Sequence, residues 1–192
     1  MNRKIKLVKE IEACTYCEKL LSHSPRPIVS FSPQSKIIII GQAPSVKVHK
    51  SGVPWDDASG ERLREWLGVS SEQFYDNKIF GIVPMGFCYP GKEKSGDLPP
   101  RPECADLWMD KVLQKLKNKE LIILIGQYAQ NYFLKSRMKS NLTDTVKSWE
   151  EYLPEFIVLP HPSPRNNIWL KKNKWFIEEV IPKLQDNIHR SI

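Results

Sequence analysis

Four short apolar runs punctuate the chain: KIIIIG at 36–41, KIFGIV at 78–83, LIILIG at 121–126 and FIVLP at 156–160. Each is rich in β-branched residues and bounded by turn formers. None shows the polar alternation of a half-exposed strand, so each is predicted to be a strand buried on both faces. Between them the period changes to that of helices. Leu63, Trp66 and Leu67 share one face after Ser59, a candidate N-cap. Leu107, Val112, Leu113 and Leu116 stripe a second helix, and a third is predicted over 128–138. A final helix carries Trp175, Phe176, Val180, Leu184 and Ile188, with Pro182 placed to kink or divide it.

Strands alternating with helices predict an α/β fold, in which a central, mostly parallel four-stranded sheet lies between helices in a three-layer α/β/α arrangement. Sites in such folds form at the carboxyl ends of the strands. GQAPS at 41–45 and HPSPRN at 161–166 both begin at such ends, so two loops distant in sequence are expected to share one crevice. The first opens the connection GQAPSVKVHKSGVPWDDASGERLREWLG, which holds a histidine, a tryptophan and two adjacent aspartates. Most strand-to-helix connections need only a few residues, and a long, chemically loaded one marks function.

Composition bounds the partners. A chain of 192 residues is read as one domain, 1–192, long enough for a full core, with no repeat or linker. The formal charge of +7 favours a polyanionic partner, though a lysine-rich solvated face would give the same number. The prolines cluster in PRP at 25–27, PP at 99–100 and HPSP at 161–164, which predicts rigid, shaped loops. No apolar run approaches the length of a membrane span, and MNRKIKLVKEIEAC lacks the apolar core of a signal peptide. The expectation is a cytoplasmic monomer with no membrane partner.

Cys14 and Cys17 form CTYC, while Cys88 and Cys104 flank a proline-rich loop, with residues 89–103 between them. Structural disulfides are rare in the cytosol. Four thiolates suit zinc or an iron–sulfur cluster; the alternative is four unrelated thiols, some buried as small apolar side chains.

The order of these elements resembles the uracil-DNA glycosylase superfamily over nearly the whole chain, and particularly its iron–sulfur branch, often called family 4. CxxC precedes the first strand, which ends in GQAPS, similar to the superfamily's first motif. Gly52-Val53-Pro54-Trp55 and then DASG follow; the third and fourth cysteines come after the second strand, and the last strand ends in HPSPRN, similar to the second motif. The resemblance implies a uracil-DNA glycosylase-like fold and a structural four-iron, four-sulfur cluster on the four cysteines, with zinc as the alternative. It implies a monofunctional glycosylase that removes a flipped uracil or other deaminated base from damaged DNA, in base-excision repair. Departures are Gln42 where family 4 has glutamate, Ala43 where several families have Asp or Asn, Ser45 where other members carry an aromatic, and Pro84 or Met85 where many carry a base-reading asparagine.

Cleaving an N-glycosidic bond builds positive charge on the sugar and negative charge on the base. Asp57, in DASG, is the candidate carboxylate beside the sugar; helix capping is its other reading, and Asp56 its rival. His161 is the candidate donor to the departing base, against a structural histidine bonding the loop backbone. Trp55 is the candidate stacking platform, against a core tryptophan. Gly41, Gln42 and Ala43 would floor the base pocket. Ser45, His49, Ser163, Arg165 and Asn166 are the candidate DNA contacts, with Arg165 as wedge in the vacated stack. Lys171, Lys172 and Lys174, interleaved with Trp169 and Trp175, extend the basic surface. Two rival functions remain: a non-catalytic iron–sulfur nucleic-acid-binding protein of the same fold, and a hydrolase of a small molecule such as a nucleoside.

Overall fold

The structure is a computed structural model and describes residues 5–94 and 96–192. Residues 1–4 of the predicted single domain, and Ser95, lie outside it. The four predicted strands are present as β1 (Ile37–Ile40), β2 (Phe80–Ile82), β5 (Leu121–Ile125) and β6 (Phe156–Leu159). They form one sheet in the order β2-β1-β5-β6, and every pairing is parallel. Ile37 pairs with Phe80 on one side and Leu121 on the other, which sets all four carboxyl ends to one edge. The side chains of Ile37–Ile40 are wholly buried, as an unbroken apolar run covered on both faces requires. A separate antiparallel hairpin joins β3 (Lys92–Glu93) to β4 (Gly96–Asp97).

The helices are α1 (Lys6–Glu12), α2 (Val46–Ser51), α3 (Ala58–Leu67), α4 (Ser71–Tyr75), α5 (Pro102–Lys115), α6 (Gln127–Leu134), α7 (Leu142–Lys147), α8 (Asn167–Lys172) and α9 (Ile181–Ser191). None of those described is long and apolar enough to cross a membrane. Four expectations are corrected. The N-cap of α3 is Asp57, whose side chain accepts from the Ser59 and Gly60 N–H groups; Ser59 lies inside the first turn. On α5 the buried face runs through Cys104, Ala105, Met109 and Val112, and Leu107 and Leu113 sit half-buried on its flanks. The helix predicted over 128–138 stops at Leu134, where Lys135 takes a positive φ of 51° and a 3-10 turn follows. Pro182, expected to kink or divide the last helix, does not interrupt it but follows a change in its winding. A π turn spans Phe176–Val180 and α9 (Ile181–Ser191) follows it with helical backbone throughout, so the proline sits just after a wider turn, where a residue without an N–H is accommodated in a continuing helix.

Candidate active site

A cleft of about 450 Å³ opens at the carboxyl edge of the sheet. Its walls come from the loops after β1, β2 and β6 and from β4 of the hairpin. Gly41, Gln42, Ala43, Ser45, Trp55, Asp57, His161, Ser163, Arg165 and Asn166 all line it, so both predicted loops do meet in one crevice. The floor is fixed by backbone pairing beyond the sheet: Met85 N–H donates to Gly41 O and Gly86 N–H to Gln42 O, each at 2.9 Å.

The two aspartates separate by position. Asp57 lines the cleft, whereas Asp56 is exposed outside it. Capping and facing the cleft prove compatible for Asp57, because its two oxygens have different partners. Oδ1 accepts from Ser59 and Gly60 N–H at 3.0 Å each, and Oδ2 accepts from the Ser45 hydroxyl at 2.6 Å. Ser45 is itself the N-cap of α2. One short hydrogen bond therefore ties the starts of α2 and α3 together, and the carboxylate has little rotational freedom.

Trp55 adopts φ 58°, a conformation costly for a side chain this large. Its ring rests on Gly41, where an added Cβ would stand 2.8 Å from the indole, and tilts 32° against the His161 ring with centroids 5.7 Å apart. It packs on the core and lines the cleft, so it answers to both sequence readings. Gly60 lets α3 pass close beneath the Trp55 carbonyl; a Cβ there would collide with that oxygen. Gly60→Ala should gain about 1 kcal/mol of helix propensity. The collision is with backbone rather than a flexible side chain, and overpacking of this kind costs about 1–3 kcal/mol or more. The expected outcome is a lowered thermal midpoint with altered Trp55 fluorescence.

The HPSPRN loop is held by side chains from both directions. Asn166 Nδ2 donates to His161 O at 2.7 Å, and Arg62, from α3, donates to Ser163 O at 3.1 Å and more weakly to Pro162 O at 3.5 Å. The buried Gln130 donates to Leu159 O at 2.9 Å, fixing the end of β6 from which His161 emerges. Burial pulls the His161 pKa below its ordinary value, and the Asp57 charge pulls it back up. Ser163 caps the turn Pro164–Asn166 by accepting from Arg165 N–H. Arg165 reaches the hairpin, where a Cβ on Gly96 would meet its guanidinium at 2.5 Å.

His49 lies apart from the cleft. It stacks edge-on to His23 and packs near Tyr89, with ring centroids 4.6 and 5.9 Å away, and its buried Nδ1 has no hydrogen-bond partner among the described residues. Burial, followed by the neighbouring His23 and Arg26 charges, lowers its pKa.

The four cysteines are free thiols, all buried except the half-buried Cys14. Burial, the larger cause, pushes Cys88 up to about 12 and Cys104 up to about 11, and each also feels the other cysteines. Backbone hydrogen bonds from Arg26 to Cys88 and from Phe87 to Cys104, and a side-chain one between Arg101 and Cys17, favour the thiolate forms. Among the described residues no three His, Cys, Asp or Glu side chains stand close enough to share a single metal ion.

Sequence reasoning missed Arg62, Gln130 and Asp97. Arg62 and Gln130 act on carbonyls far away in the chain, 101 residues off for Ser163, and no local pattern signals such a bond. Asp97 lines the cleft from a stretch with no catalytic motif. Residues 28–185 match the family model of the uracil DNA glycosylase superfamily. A Type-4 uracil-DNA glycosylase of Sulfurisphaera tokodaii is 22% identical over 191 residues, spanning 94% of this chain and 83% of the relative. With the parallel sheet, the paired GQAPS and HPSPRN loops and a family match over most of its length, this chain belongs to the uracil DNA glycosylase superfamily.

Proposed function

We propose that the protein is a monofunctional DNA glycosylase that hydrolyses the N-glycosidic bond of a flipped uracil or other deaminated base. The observation that carries this reading is the meeting of Asp57, Trp55 and His161 in one cleft, from loops about a hundred residues apart in sequence. The Trp55 face holds the extruded base by stacking. Asp57 stands beside the sugar, where its fixed negative charge offsets the developing cation and orients the attacking water. His161, neutral near pH 7 because burial disfavours its charged form, donates one N–H to the base oxygen as negative charge gathers there. Arg165 fills the gap left in the stack, while Ser163 and Asn166 meet the backbone of the damaged strand. Ser45 serves chiefly by holding Asp57, a role distinct from direct DNA contact. The expected working form is a cytoplasmic monomer.

Cys14, Cys17, Cys88 and Cys104 fit a cluster. All four are free, and Cys17, Cys88 and Cys104 each feel the charge of other cysteines and receive a hydrogen bond that stabilises the thiolate. The group is read as an iron–sulfur cluster, as in the iron–sulfur branch that this chain resembles, with zinc as the alternative. When bound, the cluster would staple the segment after α1 to the loop after β2 and to the start of α5. Cys88→Ser is expected to bleach the brown colour of anaerobically purified protein and to lower its thermal midpoint steeply, since ligation free energy is folding free energy. Absorbance and iron content check this, and a colourless wild type carrying zinc would reject iron.

The activity is tested on single- and double-stranded DNAs, each carrying one uracil, hypoxanthine, xanthine or thymine mismatch. Abasic product from any of these supports the glycosylase. Salt-sensitive binding without product supports the non-catalytic relative, the reading that Ala43 and the side chain of Pro84 favour. Cleavage of free nucleosides supports the small-molecule hydrolase.

A further inference from the structure

The cleft contains an acid that the reaction as derived does not use. Asp97, on β4, lines it together with Gly96. Asp97 is exposed, next to Gly96 on which the Arg165 guanidinium packs, and its carboxylate can only accept, so toward a ligand in the cleft it is suited to meet a donor rather than phosphate. The hairpin that carries it is anchored. Leu98 N–H donates to Gly91 O at 2.9 Å, the Tyr89 hydroxyl donates to Asp97 Oδ1 at 3.4 Å, and the Tyr89 ring stacks on His23 with centroids 5.3 Å apart. Burial and the Asp97 charge both raise the Tyr89 pKa, which keeps it a donor.

Several groups at the floor of the cleft are already committed. Pro84 has no N–H, and those of Met85 and Gly86 are committed to the floor. Asp57 spends its carboxylate on Ser45, Ser59 and Gly60. The Gln42 amide both donates and accepts, so it can turn to suit either kind of edge.

We propose, resting on the glycosylase reading above, that Asp97 is a specificity residue whose carboxylate accepts a hydrogen bond from a ring N–H of the flipped base, so that the cleft selects bases with a lactam N–H edge. A carboxylate is an acceptor only. Cytosine N3 and adenine N1 are acceptors too, and two acceptors face to face repel. Deamination turns those nitrogens into donors: uracil presents N3–H, and hypoxanthine presents N1–H. Asp97 thus responds to the chemical change that defines the damage. Thymine and guanine carry the same N–H, so their exclusion falls to other features of the site.

The test pairs a substrate change with a residue change, in identical DNAs carrying uracil or N3-methyluracil. N3-methylation should slow the wild type by about 10- to 100-fold, the usual value of a hydrogen bond to a charged group. Asp97→Ala should lose a similar factor on uracil and be indifferent to the methyl group. Asp97→Asn, whose amide can also donate, should raise the cytosine-to-uracil rate ratio. Equal wild-type rates on both DNAs, or equal losses by Asp97→Ala on both, would overturn the assignment. If the wild type releases no base from any DNA, the glycosylase reading fails separately. Equilibrium binding of wild type and Asp97→Ala to the same two oligonucleotides then decides on Asp97 by the same pattern.

Discussion

Asp57→Asn is expected to slow single-turnover cleavage by about 100- to 1000-fold or more, with fold and DNA affinity retained. The amide keeps the shape of the side chain. Its oxygen can still accept from Ser59 and Gly60 N–H, and asparagine caps helices about as well as aspartate, so α3 should start where it does now. What is lost is the charge beside the sugar and the acceptor for the Ser45 hydroxyl. Asp56→Asn is the matched control, since Asp56 is exposed and outside the cleft. Thermal unfolding and DNA binding should leave all three proteins alike, and the rates should set Asp57→Asn apart. Loss in Asp56→Asn alone would reverse the two assignments. Full activity in both would remove the carboxylate from the mechanism.

His161→Ala is expected to cost about 100- to 1000-fold in the same assay, the usual effect of deleting one preorganised donor. It also removes the ring beside Trp55, so some loss of base stacking should accompany the loss of rate. The pH dependence gives a second handle. The folded pKa of His161 lies below its ordinary value of 6.5, with burial the larger cause and Asp57 opposing it. The unfolded chain therefore binds the proton more readily, and protonation favours unfolding. The contribution is absent well above pH 6.5, builds as pH falls from 6.5 to the folded value and levels off below it. Thermal midpoints of wild type and His161→Ala, compared from pH 7.5 downward, should show the wild type losing more stability on the acid side. Parallel curves would mean that His161 is better hydrated than its surroundings in the cleft imply.

The strands were legible because continuous β-branched runs have one economical use, burial on both faces of a parallel sheet, and Ile37–Ile40 takes it. The crevice was legible for the same reason, since the carboxyl ends of β1 and β6 follow from strand direction alone. The helix expectations that the structure corrects depend on packing. Nothing local distinguishes Leu107, half-buried on α5, from Met109, which is fully buried, and the early end of α6 comes with the positive φ of Lys135. Short helices such as α2 and α4 escaped notice because five or six residues carry too little periodicity. They persist through caps, Ser45 on one and a Ser70–Gln73 capping box on the other. In the site, motif residues were found, and the residues that hold them were not. Arg62 and Gln130 bind carbonyls, and a carbonyl acceptor leaves no trace in side-chain identity. His49 shares the loop with Trp55 and Asp57, and α2 turns it away from the cleft toward His23 and Tyr89.

The most direct test of the account is to measure free base released from a uracil-containing oligonucleotide by excess enzyme, by mass spectrometry, with Asp57→Asn as the matched control. The account predicts free uracil and an abasic strand in equal amounts from the wild type, and neither from Asp57→Asn on the same time scale. Tight binding of the oligonucleotide by the wild type, with the uracil still attached to its sugar, would contradict it.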